Sequence, residues 1–512
     1  MSPKASRAFR GRGSPRLRGA RGRQDGTARG EERRLAKDPA FQRHTQERVR
    51  HWDDLARRLR DWRGLGETYH RRLRQVYSYL IAPGQRVLEV GAGNGDLLSA
   101  CRPSAGVGID FSTEMIRWGR DRHPELQFHE MDAHLLRLKE PFDVVVMSDL
   151  VNDVWDVQTV FERVRSVCRP SARVILNSYS RLWELPLTLA EKVGLAKPTL
   201  AQNWLTVEDV RSLLDLADMD VVRSWSEFLF PLPIPGLEPF ANRVLCRLWP
   251  FSLMSLTNFV VARPKPASRT ARNSPRVSIV IPVRNEAGNV GRLIQEIPEM
   301  GGGTELIFVE GHSTDESHAT LRRAVGRRGG RDMRLYRQSG KGKGDAVRLG
   351  FSAARGDILV IYDADLTVPP VDLPRFVEAV ASGQVEFANG VRLVYPMEGE
   401  AMRFLNFLGN KFFSLAFTWL LGQPVKDTLC GTKALWRRDY ERIAAQRSYF
   451  GDFDPFGDFD LLFGAVKLGL RIVDIPVRYR ARTYGTTNIQ RWQHGWLLLR
   501  MVIFAATRLK FV

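Results

Sequence analysis

Two apolar runs, each delivered into a turn of distinctive chemistry, constrain this chain more than any other feature. Arg86-Val-Leu-Glu-Val-Gly-Ala-Gly-Asn-Gly-Asp96 passes from a buried strand into a glycine turn. Val277-Ser-Ile-Val-Ile-Pro-Val-Arg-Asn-Glu286 passes from a buried strand into a polar turn. Unbroken Val/Ile/Leu runs suit strands covered on both faces, and a turn at the carboxyl end of such a strand opens a ligand crevice. Each run therefore predicts its own α/β unit and its own ligand, and 512 residues leave room for both.

Periodicity supports two units. After Arg86, the apolar strands Val87–Val90, Val107–Asp110, Phe142–Met147, Arg173–Asn177 and Phe259–Ala262 alternate with helical stretches, which implies a parallel sheet under helices. A second series holds Val277–Val283, Leu306–Val309, Ile358–Tyr362 and Arg471–Tyr479. Between them lies a polar, Pro-punctuated linker, 266–275. Trp52, Leu55, Leu59 and Trp62 recur at helical spacing and predict one or two amphipathic helices ahead of the first unit. Phe228–Pro250, dense in Pro and aromatics, fits neither pattern. No internal repeat is present.

Much of the formal charge of +20 sits in an Arg/Gly/Ser/Pro tail, expected to be disordered over 1–45. It has no apolar h-region, so no export signal is expected, and it reads equally as a solubilising arm or an attractor for anionic partners. Cys101, Cys168, Cys246 and Cys430 lack metal spacing and fit free thiols in a reducing compartment. The longest apolar run, Phe412–Leu421, falls short of the roughly 18 residues a spanning helix needs.

At the first turn, Gly91, Gly93 and Gly95 let backbone approach a ligand closely, Glu89 precedes them, and Asp110 ends the next strand where ribose hydroxyls would donate to it. The spacing is not the Gly-x-Gly-x-x-Gly of a dinucleotide dehydrogenase. These motifs make residues about 80 to 265 resemble a class I S-adenosylmethionine-dependent methyltransferase. The resemblance implies a Rossmann-like fold, Glu89-Val-Gly-Ala-Gly-Asn-Gly95 as its first motif, and Asp110 as its ribose acid. It further places adenine at Asp132 and Ala133, and the methyl group beside the end of Phe142–Asp149. Alignment alone can carry much of a methyl transfer, so no dedicated base is expected. His123, His129 and His134 read as surface or turn residues, and the acceptor pocket is expected within Ser178–Pro250.

In the second unit, Asp363-Ala-Asp365 closes an apolar strand, with both carboxylates on one side, as a hard cation bridging a diphosphate requires. The glycine-rich basic loop Gly340-Lys-Gly-Lys-Gly344, not a P-loop by spacing, enters a helix and suits an anionic donor. Together with Pro282-Val-Arg-Asn-Glu286, Lys426–Lys433 and Val477–Ile489, these residues resemble a family 2 glycosyltransferase of GT-A fold, closest to dolichyl- or polyprenyl-phosphate sugar transferases. The resemblance covers about 276 to 490. It implies donor binding by Pro282, Asn285, Glu286, Glu310, Lys343 and Asp363, and a divalent cation (Mg or Mn) on Asp363 and Asp365. It also implies phosphate contact by Arg482, with Arg478 and Arg480 as alternates, and Asp427 as base for a hydroxyl acceptor, with Asp458 and Asp460 as the next acids. Val309-Glu-Gly-His-Ser-Thr-Asp315 departs from the commonest Val-Asp-Asp-Gly-Ser-Thr-Asp, leaving UDP and GDP donors both open.

The expectation is a two-domain α/β chain: a methyltransferase at 46–265, a glycosyltransferase at 276–490 and an amphipathic helix at 491–512. It would use S-adenosylmethionine, a nucleotide sugar and a polyprenyl-phosphate or related lipid acceptor, and sit in the cytoplasm at the inner face of the membrane. Met402–Leu421 and Arg491–Val512 are the candidate interfacial helices. The alternatives are a glycosyltransferase with a non-catalytic cofactor-binding domain and, from another class, an RNA methyltransferase guided by the tail. The latter lacks an aromatic stacking platform or a nucleic-acid module.

Overall fold

The computed structural model describes residues 37–59, 66–192, 200–266, 274–326, 330–392, 394, 404–449, 457, 459–484 and 491–512. Helices lead into the first sheet, as the spacing predicts, and the first of them begins inside the expected tail. It spans Pro39–Leu59 because Asp38 caps it, accepting from Ala40 N at 2.8 Å, and Pro39 occupies the first helical position, where an N–H has no partner to lose. Phe41 is buried from this helix, edge-on to the His134 ring. A second helix, Gly66–Leu80, buries Tyr69, Leu73, Val76 and Tyr77.

The first sheet contains β1 (Arg86–Val90), β2 (Ala105–Asp110), β3 (Gln127–Glu130), β4 (Phe142–Ser148), β5 (Cys168–Tyr179), β6 (Met219–Glu227) and β7 (Thr257–Pro264). Their order is β3-β2-β1-β4-β5-β7-β6. Side-chain alternation feeds two cores: Leu88 and Val90 join Val145, Met147 and Leu176, whereas Val87 joins Val144, Tyr77 and Phe259. The expected all-parallel arrangement needs correction at β7, which runs antiparallel to both β5 and β6. The reason lies in the Pro-rich segment that fitted no pattern. It returns the chain at the same end of the sheet, closed by Leu256 N donating to Phe228 O at 2.7 Å, without a crossover helix.

The second sheet holds β8 (Val277–Val283), β9 (Thr304–Glu310), β10 (Asp332–Arg337), β11 (Ile358–Ile361), β12 (Phe387–Val391), β13 (Lys433–Trp436) and β14 (Ile472–Pro476), ordered β10-β9-β8-β11-β13-β12-β14. It too is mixed, because β13 pairs antiparallel with β11 and β12. The strand expected at Arg471–Tyr479 stops at Pro476. Both units are thus α/β domains with mixed sheets.

The domains meet through a buried charge cluster. Arg173 of β5 places one guanidinium nitrogen 2.8 Å from each oxygen of Glu386 and another 2.7 Å from the Gly469 carbonyl. Arg263 reaches the Gly383 and Gln384 carbonyls, and Arg471 pairs with Asp220 at 2.6 Å. All four cysteines are free and buried. Among the described residues, no helix is long and apolar enough to cross a membrane.

Candidate functional site

The first cleft opens past the carboxyl ends of β2, β1 and β4 and encloses about 800 Å³, open solvent included. Gly91, Gly93, Asp110, Asp132, Ala133 and Asp149 all line it. Gly93, at φ +50°, has nothing within 4 Å of where a Cβ would stand, so its open face belongs to the cleft. Gly95 does a different job, since a Cβ there would strike the Phe128 ring. Glu89 is buried and is not among the residues lining the cleft, and burial raises its carboxyl well above the ordinary range.

Asp110 ties the turn together, accepting from Gly93 N at 3.0 Å and Ser112 N at 2.9 Å. Burial pushes its carboxyl up to about 6, against those two amides. Asp132 accepts from the His134 amide at 2.8 Å and faces its Nδ1 at 2.6 Å. Those contacts hold it below the usual carboxylate range in spite of burial. His134 Nε2 lies 3.0 Å from Asp156 N, so the ring links Asp132 to the start of the next helix and acts as a structural clamp.

One contribution lay outside the sequence reading, and another was read only as the end of a strand beside the methyl group. The helix Pro39–Leu59 forms one wall: Arg48 Nε lies 2.8 Å from Asp153 Oδ1, and Trp52 Nε1 donates to Asp153 Oδ2 at 2.9 Å. The other is Asp149, the residue after β4, at φ +53°. Its Oδ1 accepts from Tyr69 OH at 2.7 Å and Asn177 Nδ2 at 2.5 Å, and burial raises its carboxyl to about 7. The signal was present as the acid terminating an apolar strand.

The second site gathers at the carboxyl ends of β8, β9 and β11. Arg482 carries it, with one nitrogen 3.0 Å from Glu286 Oε1 and another 2.7 Å from Asp365 Oδ2. Asp365 Oδ1 accepts from the amide and hydroxyl of Thr367, so one oxygen is fixed by the turn and the other by the arginine. Lys343 Nζ lies 2.7 Å from Asp363 Oδ1. Against the cost of burial, Lys343, Lys433 and Arg392 hold Asp363 below the ordinary range. Pro282 is the last residue but one of β8, ahead of Asn285, which at φ +58° accepts from Thr314 N at 2.8 Å and so pins the turn against the next one. Tyr484 packs over Gly288, and Thr483 meets Arg292, so 478–484 folds down on this turn.

Two expected roles need correction. Asp427 is 2% exposed and accepts from Nε, one terminal nitrogen and the amide of Arg392, and from the Leu429 and Cys430 amides. Burial opposes its ionisation, but Arg392 and these amides hold it below the usual carboxylate range, so it anchors Arg392 and is a weak base. Glu310, longer than the common Asp, turns back: Oε1 accepts from Ser313 N, and Arg337 Nε lies 3.2 Å from Oε2, which leaves it 1% exposed. Asp460 pairs with Arg447 at 3.0 Å. Arg480 contributes its amide to the Thr367 carbonyl, and Arg478 its amide towards Asp372. Asp458 and 485–490 lie outside the described residues.

Among the described residues no three His, Cys, Asp or Glu side chains converge on a metal position. Asp363 and Asp365 offer two hard carboxylates, the donor set with which a magnesium-like ion shares a substrate diphosphate, so these residues fit such a cation.

Comparisons with known proteins find a family match for each unit. Residues 41–224 match the Methyltransferase domain family, and residues 278–443 match Glycosyl transferase family 2. An undecaprenyl-phosphate 4-deoxy-4-formamido-L-arabinose transferase of Edwardsiella ictaluri is 36% identical over 21% of this chain and 34% of its own length. Glycosyltransferase AglD of Haloferax volcanii is 28% identical over 44% and 36%, and a dolichol-phosphate mannosyltransferase of Pyrococcus furiosus is 27% identical over 42% and 59%. The chain thus spans about a third of the length of the first two relatives. Among solved structures, a Haloferax volcanii methyltransferase bound to the Trm112 activator aligns at 18% identity over 42% of this chain and 97% of that one, TM-score 0.33. Glucosyl-3-phosphoglycerate synthase of Mycobacterium tuberculosis, with Mn2+ and UDP, aligns at 21% identity over 47% and 82%, TM-score 0.35.

Proposed function

We propose that this chain, a methyltransferase domain joined to a family 2 glycosyltransferase domain, moves a sugar from a nucleotide donor to a polyprenyl-phosphate or related glycolipid, and a methyl group from S-adenosylmethionine to a second acceptor. The observation that carries the sugar transfer is Arg482 bridging Glu286 and Asp365. A guanidinium brought by a separate loop to the strand-end carboxylates is placed to exchange those partners for phosphate oxygens when a diphosphate enters. Lys343, across from it on Asp363, does the same as a point charge. A divalent cation, when bound on Asp363 and Asp365, supplies charge that stabilises the departing diphosphate. The acceptor attacks the anomeric carbon with inversion. A lipid phosphate is already anionic near neutral pH, so the loss of Asp427 as a base leaves the reaction intact. Asp365→Ala is expected to lose metal-dependent turnover of a nucleotide sugar, and unchanged turnover would reject this donor site.

A lipid acceptor also accounts for exposed apolar stripes. Phe412, Leu415 and Trp419 face outward from the helix Phe404–Leu421, and Trp496, Leu499 and Ile503 from the helix Arg491–Ala505, each at three- and four-residue spacing. The opposite faces, with Phe417, Leu420, Leu498 and Met501, enter the core. Two parallel apolar stripes with Lys411 and Arg500 beside them suit helices lying in an interface. Removing 491–512 should abolish flotation with anionic vesicles; a full-length protein that stays in the soluble fraction would count against the membrane contact.

For the methyltransferase domain, Asp110 and Asp132 hold the ribose and adenine, and Ala133 offers its amide. A purely structural domain would predict no binding of S-adenosylmethionine. Calorimetry with Asp110→Ala decides the site, since equal binding by parent and variant would remove this assignment.

A further inference from the structure

The first cleft contains a carboxylate that the methyl-donor reading does not use. Sheet order puts the ends of β2, β1 and β4 side by side, so Asp149 stands two strands from Asp110, about 10 Å away at ordinary strand spacing. A ligand whose ribose lies on Asp110 and which continues past the glycine turn therefore ends at Asp149. Tyr69 and Asn177 both bind Oδ1, and Oδ2 accepts no hydrogen bond among the described residues while the side chain lines the cleft. The other acids here are engaged: Asp153 by Arg48 and Trp52, Asp132 by His134. The groups that face Asp149 are Tyr69 from the helix Gly66–Leu80 and Asn177 and Tyr179 from β5, with Tyr77 behind, bonded to Asn177 at 2.7 Å. None of them is a cation, and Asn177 is itself fixed by Tyr77 and Thr257.

We infer that Asp149 is the catalytic base of the methyl transfer and that the methyl acceptor is a neutral hydroxyl, as a sugar carries. This rests on the reading of the cleft as an S-adenosylmethionine site. As the acceptor oxygen bonds to the methyl carbon, the carbon–sulfur bond breaks with its electron pair passing to sulfur. The hydroxyl proton moves to Asp149 Oδ2. The products are the methyl ether, S-adenosylhomocysteine and a protonated Asp149 that returns its proton to water. An acceptor that is already an anion would be repelled by the carboxylate and would need no base. Burial that raises the carboxyl to about 7 keeps it half ionised near neutral pH, where a base is most effective.

The test needs no knowledge of the acceptor. Sinefungin carries an ammonium group where S-adenosylmethionine carries its methyl, and S-adenosylhomocysteine carries neither. Calorimetry of the full-length protein on the alkaline side of Asp149's value of about 7 should show sinefungin binding tighter than S-adenosylhomocysteine. The expected margin is about tenfold, the order of one hydrogen bond to a charged group. On the acid side the preference should shrink. Asp149→Asn should erase the preference yet bind S-adenosylhomocysteine as the parent does, which reports an intact fold. Tyr69→Phe should keep the preference and move its pH midpoint upward, because the lost hydrogen bond favoured the ionised form. An undiminished preference in Asp149→Asn overturns the inference. If the parent binds neither compound, the cofactor reading itself fails.

Discussion

Gly431 has no room for a side chain, because a Cβ there would overlap Asp363 Oδ2 and Lys343 Nζ. Gly431→Ala should therefore displace the Lys343–Asp363 pair that we propose receives the diphosphate. Nucleotide-sugar turnover should fall by about 100-fold, the scale of a misplacement near 1 Å. S-adenosylmethionine binding in the other domain, measured by calorimetry, should be unchanged. A second residue-scale expectation follows from Asp110, whose carboxyl burial raises to about 6. The anion accepts from two ribose hydroxyls more strongly than the protonated acid, so cofactor affinity should be full above that value and weaken as pH falls through it. A flat profile from neutral pH to below that value would contradict the ribose role. The glycines and acids were legible in the sequence because a strand-end turn makes their position nearly obligatory. Asp427 was misread because its fate depends on Arg392, 35 residues away, and Asp149 was passed over because local pattern gives a strand end but no partners.

At the scale of elements, the helix Pro39–Leu59 shows what periodicity can and cannot supply. Trp52 and its neighbours announced a helix, and the apolar stripe announced a buried face. The cleft that face closes depends on Arg48 meeting Asp153 and the Ala201 carbonyl, more than 100 residues distant. Arg48→Ala should loosen this wall and weaken S-adenosylmethionine binding by about tenfold, as loss of hydrogen bonds from a charged group does. Stopped-flow measurement should locate the change in dissociation. An unchanged dissociation rate would make the helix a bystander. The mixed sheets follow the same logic: strand existence was readable from apolar runs, but β13 takes its direction from a long excursion between Val391 and Lys433 that no local signal encodes.

The two domains are joined at the amino ends of their strands, and again where the helix Gly66–Leu80 meets the last turn of the chain, Arg72 reaching the Val512 carbonyl at 2.7 Å. Arg173 lies in register with Val144 near the start of β4, and Glu386 just precedes β12, whereas both clefts open past the opposite ends. Both clefts thus stand apart from this charge cluster, and the two activities should not depend on it. Glu386→Ala would leave Arg173 and Arg263 buried without their carboxylate, and should cost about 3–5 kcal/mol in urea unfolding. Although burial opposes it, Arg173 and Arg263 hold the Glu386 carboxyl below its usual value. Its contribution is present above the unfolded-chain value and is lost as pH falls through the depressed one, so the parent's advantage over the variant should vanish in acid.

Independence and reaction type meet in one measurement: mass spectrometry of undecaprenyl phosphate incubated with a panel of nucleotide sugars and Mg2+, using the parent, Asp365→Ala and Asp110→Ala. The parent and Asp110→Ala should each form the same sugar-bearing lipid phosphate, and Asp365→Ala should form none. A parent that glycosylates no lipid phosphate across the panel, or an Asp365→Ala variant that does so undiminished, would contradict the account.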